Sequence, residues 1–132
     1  DNLVYIAQLY DQLKEEYGFD EEKVFLLGFS QGVAMAFRFA SVGHILPRGV
    51  IACGGDLPPD VNDKLGTIDR YPVLVVHGTQ DETVKPVKSE ECIAALTKHN
   101  FKVDQHFFVG AHEIPEDVVA EINAWIDARL AE

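Results

Sequence analysis

Cysteine is scarce: Cys53 and Cys92 are the only two in 132 residues. Two cysteines cannot build a disulfide framework, and their spacing matches no zinc or redox motif. Both are expected to be reduced and structural, which points to the cytoplasm. Basic residues are also few, with 11 Lys and Arg against 22 Asp and Glu and a formal net charge of −11. That balance opposes general electrostatic binding to nucleic acid or to an anionic membrane surface. The acidic residues are scattered, the longest run being Asp20-Glu21-Glu22, so they read as a solvated surface. No apolar run nears the roughly 18 residues that span a bilayer, and no membrane span is expected. No two histidines have the spacing of a metal site, and Gly54-Gly55 is too short to cradle a nucleotide phosphate. Neither a metal nor a cofactor is expected.

What the chain does have is an ordinary hydrophobic fraction, 47%, enough for the core of one domain over 1–132. Apolar runs and amphipathic stretches alternate. The pattern predicts helix at about 2–17, strand 23–28, helix 31–42, strand 48–53 and an irregular loop 54–70. Strand 72–77, helix 86–99, strand 102–108 and helix 116–130 follow. Strand–helix alternation of this kind means an α/β fold with about four parallel strands and flanking helices. Leu3, Ile6, Leu9, Tyr10 and Leu13 fall on one side of the first helix. Val118, Val119, Ile122, Trp125, Ile126 and Leu130 form the expected inner side of the last. That helix should cover one sheet face and the middle helices the other.

The chemistry concentrates at Gly28-Phe29-Ser30-Gln31-Gly32, between the apolar run 23–27 and the helix formers from Val33 onward. Strand, G-x-S-x-G and helix is the context of a nucleophile elbow. The turn is so tight that only glycine is expected to fit two residues either side, and it holds the serine strained and exposed above the sheet. The helix starting there aims free N–H groups and a positive dipole end at a forming oxyanion. The competing reading of Ser30 is a plain helix N-cap.

Two further segments supply what a serine nucleophile lacks, in the order Ser, acid, His. Asp81 follows the strand Pro72–His77 and His112 follows the strand Lys102–Phe108. All three residues thus lie past the carboxyl ends of parallel strands, where open α/β sheets place their sites. Asp81 has rivals in its neighbour Glu82 and in Asp104, and could be an ordinary turn residue. His112 has four. His77 ends a strand, where packing or a loop hydrogen bond suits it better than ligation; His106 lies inside one, and His44 and His99 follow helices. Cys53 is a minor alternative nucleophile with no elbow around it.

With these residues in place the chain resembles the phospholipase/carboxylesterase branch of the α/β-hydrolase fold, which includes acyl-protein thioesterases. The resemblance rests on Gly-Phe-Ser-Gln-Gly at 28–32, Cys-Gly-Gly-Asp-Leu-Pro at 53–58, His-Gly-Thr-Gln-Asp at 77–81 and Gly-Ala-His-Glu-Ile-Pro at 110–115. It implies a serine carboxylesterase that hydrolyses small acyl esters or thioesters through an acyl-enzyme. Ser30 is then the nucleophile, Asp81 the acid, His112 the general base and the Gln31 N–H an oxyanion donor. Leu57 would border the acyl pocket, and Val84 and Ile114 are grouped with it as pocket residues. Val33 stands where many members have another glycine, and Cys53 where serine is common.

Family members are nearly twice as long, and this sequence is expected to lack their N-terminal part. The strands that would precede the first helix, and one of the two oxyanion donors, are then missing. Losing one such donor costs about two to three orders of magnitude in turnover. The first strand would have an unpaired apolar edge, a pairing hazard. A second copy of the chain or a missing N-terminal half would cover it. The alternative function is therefore a catalytically incomplete C-terminal half that acts as a folding or interaction unit. A carbon–carbon or lactone hydrolase is a further alternative, since fold and triad look alike there.

Overall fold

The computed structural model describes residues 2–132. The single partial domain expected over 1–132 begins at Asp1, outside these described residues. Helix α1 (Asn2–Tyr17) leads through a 3-10 turn (Glu21–Lys23) into strand β1 (Phe25–Phe29). Helix α2 (Gln31–Ser41), β2 (Gly49–Cys53), a short α3 (Pro59–Asn62) and β3 (Val73–Gly78) follow. Helix α4 (Val87–Lys98), β4 (Val103–Phe108) and α5 (Glu116–Leu130) complete the chain. The four strands form one sheet in the order β1-β2-β3-β4, every pair parallel.

The alternation of side chains across the pleat sorts the core into two layers. Val50, Ala52, Val73 and Val75 meet Val33 and Phe37 of α2 and Cys92 and Leu96 of α4. Their neighbours Ile51, Cys53, Leu74 and Val76 point the other way, against Val118, Ile122 and Trp125 of α5. Strands β2 and β3 are buried on both faces, which is why they read as unbroken apolar runs. On α5, Val119 and Leu130 are exposed, so its inner face is narrower than the sequence suggests. Asp104, on β4, accepts hydrogen bonds from Trp125 Nε1 at 2.8 Å and Arg129 Nη1 at 3.1 Å and so fastens this helix. Asp104→Ala leaves the indole N–H of a buried residue without its acceptor. It is expected to cost about 1–2 kcal/mol in a urea titration.

Two expectations need correction. The loop 54–70 is not wholly irregular: α3 occupies four residues of it, opened by Pro59 in its first turn. And the apolar stripe of α1 is only partly buried. Tyr10 docks its ring against Phe19, Phe39 and His44, while Leu9 and Leu13 remain exposed. Along the same side Leu3 and Ile6 are half-buried. Strand β1 ends the sheet, and among the described residues its outer edge has no partner strand, with Leu27 51% exposed.

Candidate active site

The hydrogen-bond ladder continues past the carboxyl ends of the strands and draws their loops together. Ser30 N–H donates to the Cys53 carbonyl at 2.9 Å, Gly54 N–H to Val76 at 2.9 Å and Thr79 N–H to Phe108 at 2.8 Å. Gln80 N–H donates to the Gly110 carbonyl at 2.8 Å, tying the Asp81 loop to the His112 loop. Residues 82 positions apart are thereby brought into contact.

Ser30 sits between β1 and α2 with φ 57° and ψ −118°, a region that costs a non-glycine residue about 1–3 kcal/mol. It occupies the N-cap position of α2, but its side chain makes no capping bond. Its hydroxyl lies 3.0 Å from His112 Nε2 instead. The elbow is held by close backbone approaches. A Cβ on Gly28 would collide with the Gly32 carbonyl and lie 2.6 Å from Val33 N. A Cβ on Gly55 would collide with the Ser30 carbonyl and lie 2.6 Å from the Val33 side chain. Gly32 does not share this constraint, since a Cβ there would meet nothing within 4 Å. The expectation that both flanking glycines are sterically required therefore holds for Gly28 alone.

His112 Nδ1 is 2.7 Å from Asp81 Oδ2. A carboxylate only accepts, so Nδ1 carries the proton and Nε2 presents its lone pair to the Ser30 hydroxyl. The imidazole also lies against the Phe29 ring, centroids 4.7 Å apart and planes tilted 34°. Asp81 is 3% exposed, and its Oδ1 accepts from Thr83 N–H and Val84 N–H, each at 2.9 Å. Burial alone would raise its carboxyl, but the Val84, His112 and Thr83 hydrogen bonds outweigh it and hold Asp81 below the usual aspartate value. A carboxylate depressed in the folded state contributes stability above its unfolded pKa of about 3.9 and loses it as pH falls through the folded value. The difference in thermal midpoint between wild type and Asp81→Asn is accordingly expected to be constant near neutrality and to shrink below about pH 4.

Asp104 belongs to the α5 fastening, Glu82 is exposed, and His44 Nε2 is 2.8 Å from Asp11. His99 closes the carboxyl end of α4. His77 makes the loop hydrogen bond expected of it, Nε2 to the Val84 carbonyl at 2.8 Å. Burial pushes the Cys53 thiol up to about 12, which leaves it protonated and unreactive near neutral pH. Val84 and Ile114 are half-buried, Ile114 against the α5-side core. Leu57 packs against the other layer and borders a hollow of about 210 Å³ with Asp56, Lys88, Glu91 and Cys92; none of Ser30, Asp81 and His112 lines it. Phe29, Gly55 and the buried His77 are site residues that sequence reading left without a role there.

An all-parallel sheet whose first strand turns through a strained serine into a helix, with a histidine and an aspartate delivered from the last two strand ends, defines the α/β-hydrolase fold. The chain belongs to the phospholipase/carboxylesterase family, whose model matches residues 1–130. Members of this family are serine hydrolases with carboxylesterase or thioesterase activity. A bifunctional acetylxylan esterase/xylanase, XynS20E of Neocallimastix patriciarum, is 30% identical over 80 residues, 61% of this chain and 12% of that protein. The crystal structure of Arabidopsis thaliana SOBER1 superposes with a TM-score of 0.80 at 23% identity, covering 97% of this chain and 62% of that one. A Bacillus cereus carboxylesterase gives a TM-score of 0.76 at 20% identity, covering 96% of this chain and 61% of that one. The chain thus spans less than two thirds of these structures. Among the described residues no helix is long and apolar enough to cross a membrane.

Proposed function

We propose that this chain carries the acyl-transfer site of a serine carboxylesterase acting on small acyl esters or thioesters. The observation that supports it most is the hydrogen-bonded series Ser30–His112–Asp81, at 3.0 Å and 2.7 Å. His112 Nε2 takes the Ser30 proton as Oγ attacks the acyl carbonyl carbon. The imidazolium so formed is stabilised through Nδ1–H by the Asp81 carboxylate. The carbonyl oxygen becomes an oxyanion that accepts from the Gln31 N–H at the start of α2, where the helix dipole favours negative charge. As the tetrahedral intermediate collapses, the alcohol or thiol leaves with the proton from His112. Water, deprotonated in turn by His112, then releases the acid and restores Ser30. Val84 and Ile114, beside the acid and the base in sequence, border the acyl group. The net charge of −11 disfavours anionic substrates, and two free, buried cysteines suit a reducing cytoplasm.

A second reading is favoured by the open edge of β1 and by the exposed Leu9 and Leu13 of α1. There the chain is one portion of a hydrolase whose remaining strands complete the sheet along Leu27 and supply a further oxyanion donor. Both readings use the same three residues, and they differ in whether this chain turns over alone. Incubation with p-nitrophenyl acetate or an acyl thioester, quenched in acid and read by intact mass, is expected to show one acyl group on Ser30. Ester hydrolysis that persists in Ser30→Ala would contradict the assignment.

A further inference from the structure

The acid side of the site contains a second imidazole. His77, the last residue but one of β3, is 1% exposed, as is Ser89 in the first turn of α4. His77 Nε2 lies 2.8 Å from the Val84 carbonyl, and Nδ1 lies 2.5 Å from Ser89 Oγ. A carbonyl cannot donate, so Nε2 carries a proton. In the neutral ring Nδ1 is then an acceptor, and the Ser89 hydroxyl is the group that donates to it. Nε2 is also 3.4 Å from Asp81 Oδ2, the oxygen that receives His112 Nδ1–H at 2.7 Å. Two imidazoles therefore meet one carboxylate oxygen, and they are not equivalent.

We propose that the buried His77–Ser89 pair is a positioning unit that aims Asp81 at His112. This rests on the assignment of Asp81 and His112 given above. The Val84 carbonyl held by His77 belongs to the same residue whose N–H, with that of Thr83, grips Asp81 Oδ1. Clamping Val84 thus fixes both the loop and the rotation of the carboxylate. The Ser89 hydroxyl, donating to Nδ1, holds the ring in the tautomer that turns Nε2–H to the Val84 carbonyl. That leaves the Asp81 charge to His112, because a cationic His77 beside Oδ2 would compete for it. Without the clamp the loop 81–84 can turn the carboxylate, and a displacement of about 1 Å at a reacting group costs about 100-fold.

His77→Leu removes the donor while leaving an apolar side chain. His77→Gln restores an N–H within reach of the Val84 carbonyl. Long-range 1H–15N spectra of the imidazoles, recorded on the intact chain at neutral pH, are the direct readout. Wild type is expected to show His77 as the Nε2–H tautomer and His112 as the Nδ1–H tautomer. In His77→Leu, His112 should become a mixture of tautomers, and labelling of Ser30 by a fluorophosphonate should slow about 100-fold. His77→Gln should recover the single tautomer and most of the rate at the same thermal midpoint as the Leu variant, which a purely structural role would not allow. Should His77→Leu fail to fold, Ser89→Ala is expected to mix the His77 tautomers and slow labelling severalfold. An Nδ1–H or cationic His77 in the wild type, or a Leu variant with an unchanged His112 tautomer, overturns the proposal. If wild type is not labelled at all, the esterase assignment fails, and the clamp is judged by the spectra alone.

Discussion

His112→Ala is expected to lower kcat for ester hydrolysis by about four to six orders of magnitude relative to the intact site. The size follows from the geometry. Ser30 Oγ has one hydrogen-bonded base, His112 Nε2 at 3.0 Å, and an alcohol is a poor nucleophile near neutral pH without one. Ser30→Ala should lose as much, and the double variant no more than either alone, because the two residues act as one unit. Initial rates with p-nitrophenyl acetate, with KM followed separately, provide the measurement. A loss of less than tenfold in His112→Ala would mean that another group takes the Ser30 proton.

The second large effect is expected at a residue that performs no chemistry. Gly55 lies directly behind the elbow, and a Cβ there would run into the Ser30 carbonyl and the Val33 side chain. Neither obstacle can yield cheaply. The Ser30 carbonyl belongs to a backbone already held at positive φ, and Val33 is fully buried. Gly55→Ala should therefore cost about 3 kcal/mol or more, a large share of the few kcal/mol that keep a small domain folded. Gly32→Ala, with open space at its Cβ, is the control and should melt close to wild type. Thermal unfolding of the two variants side by side decides the matter; equal midpoints would contradict the packing described here.

The strands and long helices were readable because their signals are local. Val73–Val76 is apolar at every position since both sheet faces are covered, and the helices show their period over three turns or more. Ser30, Asp81 and His112 were readable for a related reason: each follows a recognisable strand, and a parallel sheet gathers such positions at one end. What escaped is what depends on partners distant in sequence. Four residues of α3 are too few to show a period. The stripe on α1 tells which side of the helix seeks cover, not that Tyr10 is buried while Leu9 and Leu13 stay exposed. Gly55 looks like any loop glycine until the Ser30 carbonyl is seen against it. His77 could be read as a loop-bonding residue, but its approach to Asp81 depends on how α4 packs beneath β3.

Whether this chain by itself assembles an activated Ser30 is decided by a fluorophosphonate probe read by intact mass. One adduct per folded chain is expected, located on Ser30 and absent from both Ser30→Ala and His112→Ala. With the Gln31 N–H as the one oxyanion donor proposed, the reaction should run about two to three orders of magnitude slower than in a site with two. A cooperatively folded chain that takes up no probe, or an adduct that survives in His112→Ala, would contradict it.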